Sequence, residues 1–314
     1  MDNAPECVED FAVRIGDICL NFSAEKGLFL KIADGYRKFV VHDVSPDISI
    51  NVHYGELPDL IRGQKIYETR GNGGPWTLYQ NGDSYIYTIH SSETESIPYR
   101  IATFNSDFTN GNLYIRSSNV HDNNDDNPVT SIGDNLVCCN PIEYPFDEFV
   151  FIKKLSQVRG VQLHACGITI DNKGVMFSGV SGAGKSTIAE VWKKQEVDIF
   201  SDDRIVARRI DGKIYMFGTP WHGDAGVSLP QKAPLNVIYF LEKGKENNII
   251  PLNVKDSAFR LTVRCFPTYY SKQGMENILD IISAIAMNVP CYELQFTPDE
   301  RVAETVINHV KSLQ

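Results

Sequence analysis

The sequence predicts an α/β chain whose N-terminal half is mainly β. Residues 1–150 hold several runs of β-branched and aromatic residues with partial alternation. From residue 145 onward, apolar residues recur at helical spacing between shorter apolar strands. The length of 314 residues suits two domains, which we place at 1–150 and 151–314.

Strands are predicted throughout the N-terminal half. Asn81-Gly82 lies between two apolar and aromatic runs, WTLYQ and SYIYTI, which is typical of a tight hairpin. Residues 117–134 are polar and rich in turn formers, so we expect an exposed loop there. Its aspartates lack the spacing of a calcium-binding loop.

Residues 145–314 are predicted to alternate between helices and strands. Helical spacing of apolar residues across 145–160 indicates a connecting helix. The further predicted elements are strands at 161–170, 175–179, 197–210 and 235–242, and helices at 185–195, 274–288 and 298–313.

Charge is unevenly distributed along the chain. Residues 1–150 contain 10 Lys and Arg against 23 Asp and Glu, a net charge of −13, whereas residues 151–314 contain 20 against 17, a net charge of +3. A nucleic-acid-binding domain would carry a basic patch, so no nucleic-acid partner is expected. The C-terminal half can accept an anionic ligand without a strongly repulsive field.

Neither a membrane segment nor a cysteine framework is predicted. No apolar run approaches the ~20 residues of a membrane-spanning helix, and the acidic N-terminus lacks the features of a signal peptide. We therefore expect no membrane partner and a cytoplasmic location. None of the seven cysteines has CxxC spacing, so we expect reduced thiols, with no zinc site or disulfide framework.

The stretch GVSGAGKS, residues 179–186, satisfies the P-loop pattern. Its three glycines allow positive φ and a close approach of the backbone to phosphate. Amides of the loop and of the following helix attract anions. Lys185 can reach the β- and γ-phosphates of ATP, and the Ser186 hydroxyl can bind Mg²⁺. The alternative, a glycine-rich turn with an incidental lysine, leaves the flanking strand and helix unexplained.

A pair of aspartates and a histidine accompany this loop. Asp202-Asp203 follows a short apolar strand, where carboxylates suit a nucleotide-bound Mg²⁺. Repulsion between the neighbours would raise the pKa of one, which could then act as a general base; the alternative is a solvated acidic turn. His164 lies 15 residues before Gly179, and by itself such a histidine is usually a packing residue.

The pieces LHACGITI, GVMFSGVSGAGKST and FSDDRI together resemble the catalytic domain of the HPr kinase/phosphorylase family, over roughly residues 155–245. This resemblance implies a P-loop nucleotide-binding domain of the phosphoenolpyruvate carboxykinase type, with a mixed sheet. It implies ATP and Mg²⁺ as cofactors, and a catalytic role for His164 beside the reacting groups. One aspartate of the pair would hold Mg²⁺ with Ser186, and the other would be the base; which is which stays open.

The site residues implied by the resemblance fall into three groups. The residues that would bind the nucleotide phosphates are Gly179, Ser181, Gly182, Ala183, Gly184, Lys185, Ser186 and Thr187. The catalytic residues would be His164, Lys185, Asp202 and Asp203. The metal ligands would be Ser186, Asp202 and Asp203.

The segment FGTPWHGDAGVSLP, after the aspartate pair, departs from the family pattern and puts HPr in doubt as the substrate. It makes Trp221, His222 and Asp224 candidate active-site residues, and the alternative is a structured turn with a packed Trp221. Three arginines could also contact phosphates: Arg204, Arg260 and Arg264. Surface or ion-paired roles are equally open for them.

The leading hypothesis from sequence is an ATP-dependent kinase. Its acceptor would be a hydroxyl, most simply a serine of a peptide or small protein. The alternatives are a small-molecule kinase and a nucleotide-responsive binding protein without catalysis. A homo-oligomer is compatible with the resemblance.

Overall fold

The computed structural model describes residues 7–60, 62–69, 76–91, 97–117, 129–133, 136–180 and 182–313. The chain divides into two compact units, Met1–Arg14 with Ile18–Phe151, and Ile15–Asp17 with Ile152–Gln314. The roles expected for these domains, acceptor recognition for 1–150 and ATP binding for 151–314, stay predictions.

Strands dominate the described part of the first unit. They are β1 Cys7–Val8, β2 Asp10–Ile15, β3 Ile18–Ala24, β4 Leu28–Lys31, β5 Val40–Val41, β6 Ile48–Gly55, β7 Gln64–Glu68, β8 Trp76–Asn81, β9 Ser84–Ile89, β10 Arg100–Phe104, β11 Asn110–Arg116, β12 Val129–Gly133 and β13 Leu136–Cys139. A 3₁₀ helix spans Asp34–Phe39.

These strands form two sheets, with the orders β5-β2-β3-β6-β11-β10-β9-β8-β7 and β1-β4-β13-β12. The predicted hairpin is confirmed: β8 and β9 are antiparallel, Asn81 lies opposite Ser84, and Gly82 has a φ of +57°. The prediction of a loop across 117–134 is wrong for Val129–Gly133, because these residues form β12, which pairs with β13. Residues 118–128 and 134–135 lie outside the described residues.

A disulfide bond joins Cys7 and Cys138. The expectation that all seven thiols are reduced is therefore wrong. The bond links β1 and β13, which both pair with β4, across 131 residues of sequence, so no local spacing signals it. Disulfides persist mainly in oxidising compartments, so the cytoplasmic location stays a prediction.

The second unit alternates helices with strands of a mixed sheet. Its strands are β14 Gly160–Ile170, β15 Lys173–Ser178, β16 Ile199–Ser201, β17 Arg204–Ile210, β18 Lys213–Phe217, β19 Lys232–Lys243, β20 Asn248–Pro251 and β21 Cys291–Phe296. The helices of the chain are α1 Phe146–Gln157, which begins in the first unit, and α2 Lys185–Lys194, α3 Val254–Val263, α4 Lys272–Asn288 and α5 Arg301–Ser312.

The mixed α/β character predicted from sequence is confirmed in this unit. The sheet has the order β15-β14-β17-β18-β19-β21-β20, with β16 on β14 and a further pairing of β15 with β19. β19 is parallel to β15 and β21, whereas β14 is antiparallel to β15 and β17. The predicted strand across 197–210 is interrupted at Asp202-Asp203, which separates β16 from β17. Helix α3 was not predicted.

Helices cover both faces of this sheet and build two apolar cores. Because neighbouring strand residues point to opposite faces, Phe177 packs with α2 and α5 while Met176 packs with α3 and α4. Trp192 of α2 is fully buried in the core that contains Phe177. The two cores fix β14, β15 and the start of α2 relative to one another. No helix in the described part of the chain has the length and apolar character needed to cross a membrane.

Candidate active site

The glycine-rich loop connects β15 to α2 in an unusual backbone conformation. Gly182 and Gly184 have φ values of +76° and +105°, which L-residues with a side chain rarely adopt. A Cβ on Gly184 would lie 2.7 Å from the Phe296 ring, so this position also lacks room for a side chain. Helix α2 begins directly after Gly184, and its first amides lie at the loop. Ser181 lies outside the described residues.

Lys185 folds back onto the start of this loop. Its side chain is buried, and its Nζ donates to the carbonyl oxygens of Gly179 at 3.0 Å and Val180 at 3.5 Å. Burial lowers the pKa of Lys185, against the opposing attraction of the Asp203 carboxylate. The ammonium group therefore contacts the start of the loop and is close enough to Asp203 for that charge to act on it.

Other predicted loop residues differ in their exposure. Ala183 is buried, Thr187 is half-buried and Ser186 is exposed at the first turn of α2. The Ser186 hydroxyl is therefore accessible to a ligand at the helix N-terminus. That accessibility fits its predicted role but does not test it.

The two aspartates of the acidic turn have different surroundings. Asp202 is 3% exposed, and its Oδ1 and Oδ2 accept from the backbone amides of Gly223 at 2.9 Å and Ala225 at 2.8 Å. Asp203 is half-buried and lies 3.0 Å, through Oδ1, from His164 Nδ1. Only Asp203 therefore presents its carboxylate to His164.

The expectation of a raised pKa is wrong for Asp203. Burial raises the pKa of its carboxyl group, but the His164 ring, 3.0 Å away, acts in the opposite direction through its contact and its charge. The charges of Arg204 and Lys185 add to this lowering. Because these three groups outweigh burial, the pKa of Asp203 lies below its ordinary value, and the carboxylate is the stable form.

His164 lies on β14, which pairs antiparallel with β15, the strand that precedes the loop. Its register partner on the other neighbouring strand is Arg204. Its backbone amide donates to the carbonyl of Arg264 at 2.8 Å. The ring is partly exposed, with 31% of its side-chain surface accessible. His164 is thus held by backbone contacts while its ring faces Asp203.

The arginines named from sequence have three different environments. Arg260 forms ion pairs with Glu242 and Glu293, so it has an ion-paired role. Arg204 lies 3.3 Å, through Nε, from Asp203 Oδ2. Arg264, at the end of α3, forms no ion pair with a carboxylate of the described chain. It is therefore the candidate of the three for binding an anionic ligand.

The guanidinium of Arg264 is buried and incompletely bonded. Its side chain is 9% exposed, and its Nε has no hydrogen-bond partner in the part of the chain that the structure describes. One terminal nitrogen donates to the Arg260 carbonyl at 2.9 Å. Burial, followed by the charge of Arg260, lowers the pKa of Arg264. An unpaired buried cation is costly, so an anionic ligand would stabilise it.

Part of this set of residues lines a cavity of about 450 Å³, but Lys185, Ser186 and Asp202 are not among its lining residues. Its lining residues are His164, Gly179, Val180, Asp203, Arg204, Val263, Arg264, Cys265 and Phe266. The cavity therefore joins the start of the glycine-rich loop to the His164–Asp203 pair. The Arg264–Phe266 stretch reaches it because Leu163 and Cys265 form a β-bridge beside the loop strand.

Trp221, His222 and Asp224, the candidates in the segment after the aspartate pair, do not line this cavity. His222 and Asp224 are exposed, and Trp221 is half-buried. The Trp221 carbonyl accepts from Ser201 Oγ at 2.9 Å, and its ring lies 6.0 Å from the Arg204 guanidinium. Trp221 thus contacts the site indirectly, in a structured turn.

Comparisons with known proteins do not assign this chain to a family. No protein-family model matches this sequence, and no curated protein matches it. Among solved structures, the chain is similar to the HPr(Ser) kinase/phosphatase from Coxiella burnetii, at 13% identity and a TM-score of 0.30. The similarity covers 48% of this chain and 88% of that chain. A TM-score this low supports no conclusion about function, which has to come from the geometry of the site.

Proposed function

We propose that the second unit is an ATP-dependent phosphotransferase of the P-loop class. It transfers the γ-phosphoryl group to a hydroxyl, most simply a serine of a peptide or small protein. One observation carries this proposal: a single cavity is lined by the start of the glycine-rich loop, the His164–Asp203 pair and the unpaired guanidinium of Arg264.

The phosphate side of the proposed site has the features that an anion requires. Gly182 and Gly184 hold the loop in a conformation that exposes backbone amides, and α2 adds the positive end of its dipole. Lys185 and Arg264 bring two cations, neither of which forms an ion pair with a carboxylate in the described chain. A triphosphate would supply their missing counter-charge.

The donor set also fits Mg²⁺. The described residues contain no group of three His, Cys, Asp or Glu side chains placed to hold a metal. Mg²⁺ bound to a nucleotide needs only one or two protein carboxylates, because phosphate oxygens and water complete its shell. Ser186 and the acidic turn would hold it, and the ion would neutralise charge on the phosphates.

On the acceptor side, His164 and Asp203 form the acid–base pair, with Nδ1 and Oδ1 3.0 Å apart. Asp203 would accept the proton of the acceptor hydroxyl while the new O–P bond forms and the bond to the β,γ-bridging oxygen breaks. Phosphoryl transfer passes through a loose transition state, so a carboxylate of low pKa serves mainly by orienting the hydroxyl. His164 holds that carboxylate, and Lys185 and Arg264 stabilise charge on the transferred group.

The mouth of the cavity supports a peptide or protein acceptor. Val180 and Val263 line it and are 49% and 57% exposed. An apolar rim around a cationic interior suits a peptide that inserts a hydroxyl and covers the rim with its neighbouring residues. A small-molecule acceptor would leave both valines in water.

Two measurements test the proposal. Calorimetry with Mg²⁺ should give affinities in the order ATP, ADP, AMP, because the contacts are to phosphates. Incubation with γ-labelled ATP and fractions of a cell extract should label a serine-containing peptide or protein. Absence of ATP binding at millimolar concentration would refute the nucleotide site, and binding without any turnover would favour a nucleotide-responsive binding protein.

A change of His164 to alanine should slow transfer by about 10²-fold or more, the range for a positioned acid–base group. ATP affinity and melting temperature should stay near those of the wild type, because the ring is partly exposed and the backbone contacts remain. Single-turnover transfer, calorimetry and thermal melts separate these quantities. A lower melting temperature with unchanged transfer would make His164 a packing residue.

A change of Gly184 to alanine should lower the free energy of unfolding by ~1–3 kcal/mol through backbone strain and also weaken ATP binding. The added Cβ meets the Phe296 ring, so the loop or the ring must shift. Gly212→Ala is the matched control: its φ is +82°, but nothing lies within 4 Å of its Cβ. Denaturation and calorimetry should show strain in both variants and lost ATP affinity in Gly184→Ala alone; equal ATP affinity would contradict the loop assignment.

A further inference from the structure

The carboxylate of Asp202 is fully engaged by one segment of backbone. It is 3% exposed, and each of its oxygens accepts one amide, from Gly223 at 2.9 Å and from Ala225 at 2.8 Å. A Cβ on Gly223 would lie 3.0 Å from Asp202 Oδ2, so the segment passes close against the carboxylate. We call residues 219–225 the clamped segment.

Further hydrogen bonds fix the clamped segment to the acidic turn. The Thr219 hydroxyl donates to the Arg204 carbonyl at 2.6 Å, and the Ser201 hydroxyl donates to the Trp221 carbonyl at 2.9 Å. These contacts surround Asp202 on both sides along the chain. The Asp202 carboxylate is therefore enclosed by contacts that hold the clamped segment against the acidic turn.

The clamped segment also supports Arg204. The guanidinium lies 6.0 Å from the Trp221 ring and 4.8 Å from the Phe266 ring, in the range of cation–π contacts. Its Nε in turn lies 3.3 Å from Asp203 Oδ2. Asp202 thus holds the segment that carries Trp221, and Trp221 contacts Arg204, which in turn contacts Asp203.

We infer that Asp202 is a positioning residue, which holds the clamped segment and through it the Arg204–Asp203 pair. This inference rests on the proposed function for its catalytic consequence, and it assigns the proton-accepting and metal-facing carboxylate to Asp203 alone. Burial agrees with this division, because Mg²⁺ dehydrates reluctantly and keeps several waters. A carboxylate that is 3% exposed offers little space for a hydrated ion.

Hydrogen exchange in the ligand-free protein tests the structural part. Asp202→Asn keeps one acceptor oxygen and turns an amide group toward the second N–H, whereas Asp202→Ala removes both acceptors. Peptides covering 219–225 should exchange faster in Asp202→Asn and faster still in Asp202→Ala, with α4 as the internal reference. Asp211→Asn, in an exposed turn, is the control and should leave this exchange unchanged.

Gly223→Ala gives an independent variant that keeps the carboxylate. Its Cβ would lie 3.0 Å from Asp202 Oδ2, so the segment and the carboxylate must move apart by a few tenths of an ångström, and exchange at 219–225 should again rise. This variant decides the question if the Asp202 variants fail to fold. Unchanged exchange in the folded variants would overturn the inference.

Kinetics distinguishes a positioning residue from a metal ligand. In Asp202→Asn the kcat should fall on the order of 10- to 100-fold, as for residues that orient catalytic groups, while KM for ATP and the Mg²⁺ dependence of ATP binding stay unchanged. A shift of ten-fold or more in the Mg²⁺ needed for ATP binding would make Asp202 a ligand and overturn the inference. If the wild type binds no ATP, the proposed function fails while the exchange result still stands.

Discussion

Replacing Lys185 by alanine is expected to slow phosphoryl transfer by about 10²–10³-fold, as for the loss of a preorganised donor aimed at developing charge. The ammonium is buried at the loop, 3.0 Å from the Gly179 carbonyl and close enough to Asp203 to influence its pKa. ATP affinity should also fall, because one of two cations on the phosphate side is lost. The fold should survive, since the side chain forms no ion pair with a carboxylate of the described chain.

Lys194→Ala provides the matched control on the same helix. Its side chain is 64% exposed, and its Nζ forms a surface ion pair with Glu300 at 3.1 Å, an interaction that contributes little. Calorimetry with MgATP, release or transfer of labelled phosphate, and thermal melts should be compared for both variants. A folded Lys185→Ala protein with wild-type turnover would refute the phosphate-site proposal.

The elements foreseen from sequence are those encoded by local pattern. Helices α1, α2, α4 and α5 and strand β14 follow from apolar spacing and nearby glycines. Helix α3 was missed although half of its residues are apolar, because Val254, Phe259 and Val263 are exposed and the apolar residues do not mark one buried face. A local signal was present: the Asn253 side chain accepts from the Asp256 amide, which is an N-cap.

Features that depend on distant pairing could not be foreseen. The Cys7–Cys138 bond joins strands that meet only through β4. Arg264 reaches the cavity because its neighbour Cys265 bridges to Leu163, about a hundred residues earlier. No pattern in the sequence distinguishes the environment of Arg264 from that of the ion-paired Arg260.

The acidic turn shows why a local argument about charge does not hold for Asp203. Repulsion between adjacent aspartates predicts that one pKa is raised. In the folded chain, Asp202 faces backbone amides, whereas Asp203 faces cations. These contacts lower the pKa of Asp203, and they could be known only once β14 and β17 were paired.

Acid should selectively remove the stabilisation that Asp203 provides. Its pKa is lower in the folded protein than in the unfolded chain, so its contribution is fully present above the ordinary aspartate value of about 3.9. It is lost as the pH falls through the lowered folded value. The difference in unfolding free energy between the wild type and Asp203→Asn should therefore shrink below about pH 4. A difference that is constant with pH would contradict the ion pairing.

Asp203→Asn is expected to slow transfer by about 10²–10⁴-fold, the range for loss of a general base. The amide cannot take the proton of the acceptor hydroxyl, and it no longer pairs as an anion with His164 and Arg204. ATP should still bind, because the contacts of the loop, Lys185 and Arg264 remain, although more Mg²⁺ should be needed.

The comparison of Asp203→Asn with Asp202→Asn makes this prediction decisive. Both variants remove one negative charge from the same turn, so a general electrostatic effect would slow both equally. If Asp203 alone faces the acceptor, its variant should show the larger loss of transfer in single-turnover experiments and the only change in Mg²⁺ dependence. Equal losses in both variants would contradict a direct role for Asp203 alone, and wild-type transfer in both folded variants would leave the pair as an acidic turn without a direct role in transfer.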